Sequence, residues 1–250
     1  MKAGSGRGHG IHSPFVYTFL TKVMNDKTVY PEYGKAEELR KQLLADKRVL
    51  TIEDMGAGSS VTGSDRRTVA AIARYAAKSK KIGQLLFRMI RYYQPQHIIE
   101  LGTSLGITTS YLALARPTSS LITMEGAAEV AGVARANFVR LQLQNVLLEE
   151  GNFDNTLPRV LAGTATVDFV FIDGNHRQEP TERYFQWLLK KCSNDTILVF
   201  DDIHWSREME AAWETIKGNP SVRCTIDLFF IGIVLFRQEF HEKQHFTIRF

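Results

Sequence analysis

The second half of the chain alternates short apolar runs with segments of helical pattern, and this alternation limits the possible folds more than any other feature. The strand-like runs are HIIEL, SLITMEG, VLLEEGN, VDFVFIDG and TILVFDD, and the helical segments between them are TTSYLALA, AEVAGVARANFVRLQ, NTLPRVLA and TERYFQWLLKKC. Continuous apolar runs are typical of strands that are buried on both faces. Alternation with helices predicts a doubly wound α/β architecture with a mostly parallel sheet. The closing runs VRCTIDLF and FIGIVLFR follow each other quickly, which predicts an antiparallel hairpin at the end of the sheet.

The first part of the chain has a different pattern, dominated by helices. Ser13-Pro14 is typical of a helix start, because serine caps the first turn and proline fits within it. A second helical pattern covers residues 37–45, and the segment from Arg66 to Pro95 predicts two helices with a break near Ser79. We therefore expect an N-terminal helical extension over residues 1–79 and a second domain over residues 80–250.

Composition excludes several classes of protein. The chain has 250 residues, 44% of them hydrophobic and 23% charged, with a formal net charge of +4, which is ordinary for a globular protein. No run reaches the roughly 20 apolar residues that a membrane helix needs, and the N-terminus lacks the long apolar core of a signal peptide. Cys192 and Cys224 have no metal-type spacing and are expected to be buried, reduced residues. These features predict a cytoplasmic protein with no membrane partner.

Two glycine-containing stretches compete for the role of a nucleotide turn: TIEDMGAGSSVTG at residues 51–63 and HIIELGTSLGITTSYLALA at residues 97–115. Such a turn needs a strand before it, a helix after it and an acid at the end of the next strand to hold ribose hydroxyls. The second stretch meets all three conditions, with Glu125 as the acid, whereas the first is followed by a polar loop. Ser104 and Ile107 stand where a dinucleotide fingerprint would need glycines, which argues against that type of site.

The motifs of the second half resemble those of class I S-adenosylmethionine-dependent methyltransferases, and more narrowly the catechol and caffeoyl-CoA type O-methyltransferases. The segments that carry the resemblance are ELGTSLGITTSYLA, MEG, EGNF, FIDGNH and VFDDIHW, which occur in that order between residues 80 and 237. The resemblance implies a Rossmann-like sheet of seven strands with an antiparallel last strand. It also implies S-adenosylmethionine as the cofactor and methyl transfer to an oxygen of a small molecule.

The resemblance assigns the cofactor site residue by residue. Gly102 and Gly106 would let the backbone approach the amino-acid tail, and Glu125 would accept hydrogen bonds from both ribose hydroxyls. Asn152 would pair with the adenine edge, and Phe153 would pack on it. The complete predicted cofactor set is Glu100, Gly102, Thr103, Ser104, Gly106, Thr108, Glu125, Gly126, Asn152, Phe153 and Asp173. Plain turn glycines and a solvated strand end are the alternative interpretation of these positions.

An acidic cluster is predicted where FIDGNH and VFDDIHW end two neighbouring strands. The resemblance makes Asp173, Asp201 and Asp202 ligands of a divalent metal such as magnesium, which prefers oxygen ligands. The third of these is an asparagine in the metal-dependent relatives, so the aspartate adds a charge. His176 and His204 raise the alternative of a general base that acts without metal, with Asp173 as a further catalytic residue.

Two other functions remain open on the sequence alone. A basic run raises the alternative of a nucleic-acid methyltransferase, but such a run is usually a solvated helical face and the amino-methylation motif with two prolines is absent, so a nucleic-acid partner is not expected. Its members are Arg66, Arg67, Arg74, Lys78, Lys80, Lys81, Arg88 and Arg91. A cofactor-binding protein without activity is the second alternative. The apolar N-terminal helices also leave a homodimer open, and residues 51–63 are predicted to form a substrate lid over Asp173 and Asp201.

Overall fold

The computed structural model describes residues 13–52 and 66–250. Within these ranges the helices are α1 (Pro14–Thr18), a π-helical continuation (Phe19–Met24), α2 (Pro31–Ala45), α3 (Val69–Tyr75), α4 (Lys80–Tyr93), α5 (Ile107–Ala115), α6 (Ala128–Arg140), α7 (Phe153–Ala162), α8 (Gln178–Leu189) and α9 (Arg207–Gly218). The strands are β1 (Val49–Thr51), β2 (Arg66–Thr68), β3 (His97–Leu101), β4 (Ser120–Glu125), β5 (Val146–Glu150), β6 (Val167–Ile172), β7 (Cys192–Asp201), β8 (Cys224–Asp227), β9 (Ile231–Leu235) and β10 (Gln244–Thr247).

The main sheet has eight strands in the order β10-β8-β9-β7-β6-β3-β4-β5. Strands β4 and β5 pair in parallel, as do β6 and β7, whereas β9 is antiparallel to both β7 and β8. The predicted α/β fold class and the antiparallel strand at the end of the hairpin are therefore confirmed. The eighth strand was not predicted from the sequence: β10 is short and pairs in parallel with β8 at the edge of the sheet.

By its internal contacts the chain divides into two compact units, which are described separately. The first unit comprises residues 13–26, 97–99 and 157–250, and the second comprises residues 27–52, 66–96 and 100–156. The predicted domain boundary at residues 79 and 80 stays a prediction.

Large aromatic side chains fill the core of the first unit. Phe200 lies 6.2 Å from Phe185 and 6.4 Å from Trp213 between ring centroids, and all three side chains are buried. Gly232 allows the close approach of strand β9 to this core, because a Cβ at that position would lie 2.6 Å from the Trp213 ring. Burial of such rings gives a large hydrophobic contribution to folding.

The second unit is built around α4 and α5. Tyr111 donates a hydrogen bond to Glu37 over 2.6 Å, which ties α5 to α2, and its ring would lie only 2.7 Å from a Cβ at Gly83. Ser79 caps α4 as the predicted helix break requires, and the helix ends at Gln94 in a left-handed conformation before Pro95. Helix α2 begins at Pro31, six residues earlier than the sequence pattern indicates, since proline fits the first turn.

The helix start at Ser13-Pro14 is confirmed, because the Ser13 hydroxyl accepts a hydrogen bond from the Val16 amide. Residues 53–65, which include most of the predicted lid, lie outside the described part of the chain. Among the residues that are described, every helix is too short or too polar to cross a bilayer.

Candidate active site

A tight loop, here called the glycine loop (residues 102–106), connects β3 to α5 in the second unit. Three of its residues have left-handed backbone angles: Gly102 (φ 100°), Ser104 (φ 48°) and Gly106 (φ 82°). The amides of Gly102 and Thr103 both donate to the Met124 carbonyl over 3.0 Å. The loop is therefore fixed against the end of β4, and its conformation requires glycine at two of its positions.

Gly106 is the most constrained position of the glycine loop. A Cβ there would lie 2.5 Å from the Phe138 ring, and the left-handed angle adds strain for any other residue. Asn137 donates to the Leu105 carbonyl over 2.9 Å, so α6 supports the loop through two neighbouring side chains. Thr108 lies buried in the first turn of α5, directly after the loop.

A chain of buried hydroxyl groups connects the glycine loop to Glu100. Thr109 and Thr123 donate to the same Glu100 oxygen over 2.5 and 2.7 Å. The Thr103 and Thr123 hydroxyls lie 2.6 Å apart, and since the Thr123 proton points at Glu100, Thr103 is the donor of that pair. Glu100 is 0% exposed. This buried carboxylate therefore holds the glycine loop in place through the hydrogen bonds of Thr123 and Thr103.

Glu125 ends β4 and is half-buried. One of its oxygens accepts the Ser104 amide over 2.8 Å, and the other accepts the Ala127 amide over 3.0 Å. The two backbone donors fix the orientation of the carboxylate. Gly126, half-buried, follows directly.

Asn152 and Phe153 lie at the start of α7, after strand β5. The Asn152 side-chain oxygen accepts the Asp154 amide over 2.8 Å and so caps the helix. Gly151 before it has φ 132°, and its amide donates to the Glu125 carbonyl over 2.9 Å. The turn after β5 is thus bonded to the turn after β4.

The acidic cluster, defined as Asp173, His176, Asp201 and Asp202, lies in the first unit at the ends of β6 and β7. One ligand atom each from Asp173, His176 and Asp201 lie within 4.8 Å of one another. His176 Nε2 is 3.6 Å from Asp173 and 3.9 Å from Asp202. Asn175 is left-handed (φ 53°), which turns the chain so that the histidine faces back toward the end of β6. The structure therefore places His176 beside the predicted carboxylates Asp173 and Asp201. Asp202 belongs to the cluster because its carboxylate lies next to His176.

His204, the second predicted catalytic histidine, has a different environment. Its Nε2 lies 2.8 Å from Asp227, its Nδ1 lies 3.4 Å from Glu210, and its ring stacks on Phe229 with 5.5 Å between centroids. Carboxylates face both ring nitrogens, so the ring is tied to Asp227 and Glu210, and its predicted catalytic role stays a prediction.

Sequence reasoning missed the residues that support the site. Thr123, Phe138 and Asp227 belong to no motif, and Thr109 lies within ELGTSLGITTSYLA without a predicted role, since all four roles depend on contacts made after folding. The only sequence signal for any of them is the position of Thr109 in the first turn of the helix after the glycine loop.

Comparisons with known proteins find similar sequences. Residues 99–203 match the family model described as "Methyltransferase domain". Over 124 residues the chain is 33% identical to a catechol O-methyltransferase of Niastella koreensis, covering 48% of this chain and 55% of that protein. It is 27% identical over 183 residues to the catechol O-methyltransferase of Bos taurus, covering 66% and 65%. The chain thus spans less than two thirds of the length of both relatives.

Two solved structures have the same fold. The O-methyltransferase from Bacillus cereus in complex with SAH has a TM-score of 0.61 and 20% identity, covering 88% of this chain and 97% of that one. The O-methyltransferase TomG from Streptomyces achromogenes in complex with SAM has a TM-score of 0.60 and 20% identity, covering 89% and 95%. The fold is therefore that of Rossmann-like methyltransferases. The predicted resemblance is confirmed: residues 99–203 match a methyltransferase domain, and the chain is similar in sequence to catechol O-methyltransferases over 124 and 183 residues.

Proposed function

We propose that this chain is an S-adenosylmethionine-dependent O-methyltransferase that acts on a small molecule with the help of a divalent cation. The observation that carries the proposal is the pairing of the left-handed glycine loop with Glu125. Both relatives are catechol O-methyltransferases, and two of the solved neighbours hold SAM or SAH.

The residues of the second unit fit the cofactor chemically. The glycine loop has glycine at two of its left-handed positions, and Gly106 packs directly against the Phe138 ring, so the backbone of the loop is held in one conformation that leaves its amides close to a ligand without side chains between. Glu125 is oriented by two backbone amides, which suits a carboxylate that accepts two ribose hydroxyls. Asn152 keeps its side-chain NH₂ for an adenine edge while its oxygen caps α7. In this proposal Glu100 positions the loop, whereas Gly126, Thr108 and Phe153 line the site.

The acidic cluster fits a divalent cation. Asp173 and Asp201 bring two carboxylates together, and Asp202 lies beside His176, so the cluster supplies the ligand type that magnesium and manganese prefer. Asp201 is 2% exposed, and a buried carboxylate is stable when a positive charge compensates it. We assign His176 as the general base, because its Nε2 lies within 4 Å of Asp173 and Asp202, which places the ring beside the proposed cation site.

In the proposed reaction the cofactor, the cation and the side chains of the protein have separate roles. When bound, S-adenosylmethionine supplies an electrophilic methyl group and the cation lowers the pKa of the acceptor hydroxyl. The chain's own residues orient the cofactor through the glycine loop and Glu125, and His176 accepts the hydroxyl proton. Because the reaction is an in-line displacement, positioning accounts for much of the rate.

Titration calorimetry with S-adenosylhomocysteine tests the cofactor assignment. We expect one site in the unaltered chain and a loss of affinity of about ten-fold or more in Glu125→Ala, since a bidentate contact to the ribose disappears. Glu150→Ala is the matched control: it pairs with Glu125 in the β4–β5 register, but its partner is Arg135 over 2.8 Å. Absence of heat with the unaltered chain would mean that the assignment is wrong.

A methylation assay with catechols, other phenols and carboxylates, with and without magnesium, tests the reaction. Methylation of an oxygen of one of these acceptors supports the proposal. Binding of S-adenosylhomocysteine without methylation of any acceptor indicates a cofactor-binding protein instead. The nucleic-acid alternative is less well supported, because Arg88 of the basic run is buried and Arg91 lies over the Tyr30 ring at 5.3 Å.

A further inference from the structure

Three large aromatic side chains of the first unit are exposed beside the acidic cluster. Trp205 is 70% exposed, Phe229 is 63% exposed and Phe230 is 55% exposed. Phe229 and Phe230 meet edge to face, with centroids 5.2 Å apart and planes at 86°. Folding alone favours burial of such side chains, so exposed aromatic groups that are close together mark a binding surface.

The backbone joins these aromatic residues to the acidic cluster. The Asp202 amide donates to the Phe230 carbonyl over 2.7 Å, and the Trp205 amide donates to the Asp202 carbonyl over 2.9 Å. Phe229 is left-handed (φ 73°), as is Asp202 (φ 53°). Left-handed angles at bulky residues cost free energy and persist mainly where the surroundings enforce them, often at functional sites.

His204 and Asp227 enforce this conformation. One Asp227 oxygen accepts the Phe229 amide over 2.8 Å, and the other lies 2.8 Å from His204 Nε2. The His204 ring also stacks on Phe229. Since both histidine nitrogens face carboxylates, this ring is built to hold the turn between β8 and β9 against the loop after β7.

We propose that Trp205, Phe229 and Phe230 form an aromatic wall that selects methyl acceptors with an apolar body larger than a single ring, and that His204 and Asp227 are its positioning residues. This inference rests on the proposed function. A planar acceptor stacks on one of these rings and meets the other with its edge, and a fused two-ring body buries more of the exposed apolar surface than a single ring does. The wall therefore determines specificity.

Two acceptors that share a vicinal hydroxyl pair provide the test: catechol and 2,3-dihydroxynaphthalene. For the unaltered chain we expect kcat/KM to favour the two-ring acceptor by about ten-fold, the scale that extra apolar contact supplies. In the double variant Phe229→Ala/Phe230→Ala this ratio should fall to about one. Tyr75→Ala, which removes an aromatic side chain that is 68% exposed in the second unit, should keep the ratio.

Direct binding separates this inference from the proposed function. Calorimetry of 2,3-dihydroxynaphthalene, with S-adenosylhomocysteine present, should show weaker binding to the double variant than to the unaltered chain. The same affinity in both proteins overturns the inference, whether or not either acceptor is methylated. Weaker binding in the variant together with no methylation by the unaltered chain supports the wall and refutes the proposed function.

His204→Ala tests the positioning role. We expect the acceptor ratio to fall while S-adenosylhomocysteine affinity stays the same. A general base would behave differently: kcat would drop by about 100-fold or more for both acceptors and the ratio would be preserved. That second pattern would overturn the positioning assignment.

Discussion

Thr123 donates a hydrogen bond to Glu100 over 2.7 Å, and both side chains are 0% exposed. The same threonine hydroxyl accepts from Thr103 in the glycine loop. A carboxylate that no solvent reaches is thus bonded, through two threonine hydroxyls, to a loop that is itself largely buried.

Replacement of Thr123 should weaken both folding and cofactor binding. Thr123→Val keeps the shape but removes one hydroxyl donor to Glu100, which should lower the free energy of unfolding by about 1–3 kcal/mol. Affinity for S-adenosylhomocysteine should fall as well, because the loop loses its connection. Urea unfolding and calorimetry measure the two effects. Thr123→Ser retains the hydroxyl and should behave nearly as the unaltered chain does. If both variants lose the same stability and the same affinity for S-adenosylhomocysteine, the hydrogen bonds of Thr123 do not hold the loop.

Gly106→Ala should destabilise the protein by more than about 1 kcal/mol, because the position is left-handed and the new methyl group meets the Phe138 ring. Gly132→Ala is the matched control. Its Cβ would have no heavy atom within 4 Å, and the residue lies inside α6, so we expect stabilisation by about 0.5–1 kcal/mol. Thermal unfolding of both variants checks the difference in sign.

Measured affinity for manganese should distinguish the proposed metal ligands, Asp173 and Asp201, from the proposed general base, His176. Loss of an outer-shell partner alone commonly weakens metal binding by about 10-fold to 100-fold, so Asp173→Asn and Asp201→Asn should lose at least that much affinity for manganese in calorimetry. Asp195→Asn is the control, since Asp195 is exposed and pairs with Arg237.

His176→Ala should retain manganese affinity within about three-fold while kcat falls by about 100-fold to 10,000-fold, as expected for a general base. If manganese affinity falls as far as in Asp201→Asn, His176 is a ligand and the base must be sought elsewhere.

Stability should decline slightly as the pH falls below about 6.5, and His245 should contribute to the decline. Partial burial, followed by the charges of Lys217 and Lys243, lowers the pKa of His245. A histidine whose pKa is lower in the folded state binds more protons when the chain is unfolded. Its contribution to the free energy of unfolding is therefore complete at pH values above the unfolded-state pKa. That contribution is lost as the pH falls through the folded-state pKa. His245→Gln should flatten the pH dependence of the urea midpoint between pH 7 and 5. The effect is small, because water still reaches the residue and screens these charges.

Neither cysteine should react readily with thiol reagents while the chain is folded. Burial raises the pKa of Cys192 and of Cys224 to about 12, so the thiolate is scarce at pH 8. We expect slow modification by an aromatic disulfide in buffer and two equivalents of rapid reaction in urea. Fast reaction of one thiol in buffer would show that it is accessible, and Cys192→Ser would identify it.

The sequence alone determined the fold class, since each apolar run of the second half became a strand close to its predicted bounds. Strand β3, for example, covers the whole of HIIEL. Local chemistry also placed the helix starts at Ser13 and Ser79, because a cap depends on residues within one turn. Strand β10 and helix α9 were missed, the first because a short edge strand has little apolar pattern of its own.

Only the tertiary structure decided which predicted site residues work together. Asp173 and Asp201 are 28 positions apart in the chain, and folding brought His176 to them while it tied His204 to Asp227. Two histidines in similar motifs thus received different environments. The physical reason is that a motif fixes the residue type and its strand, whereas the partner of a side chain depends on sheet register and on turns that distant residues hold in place.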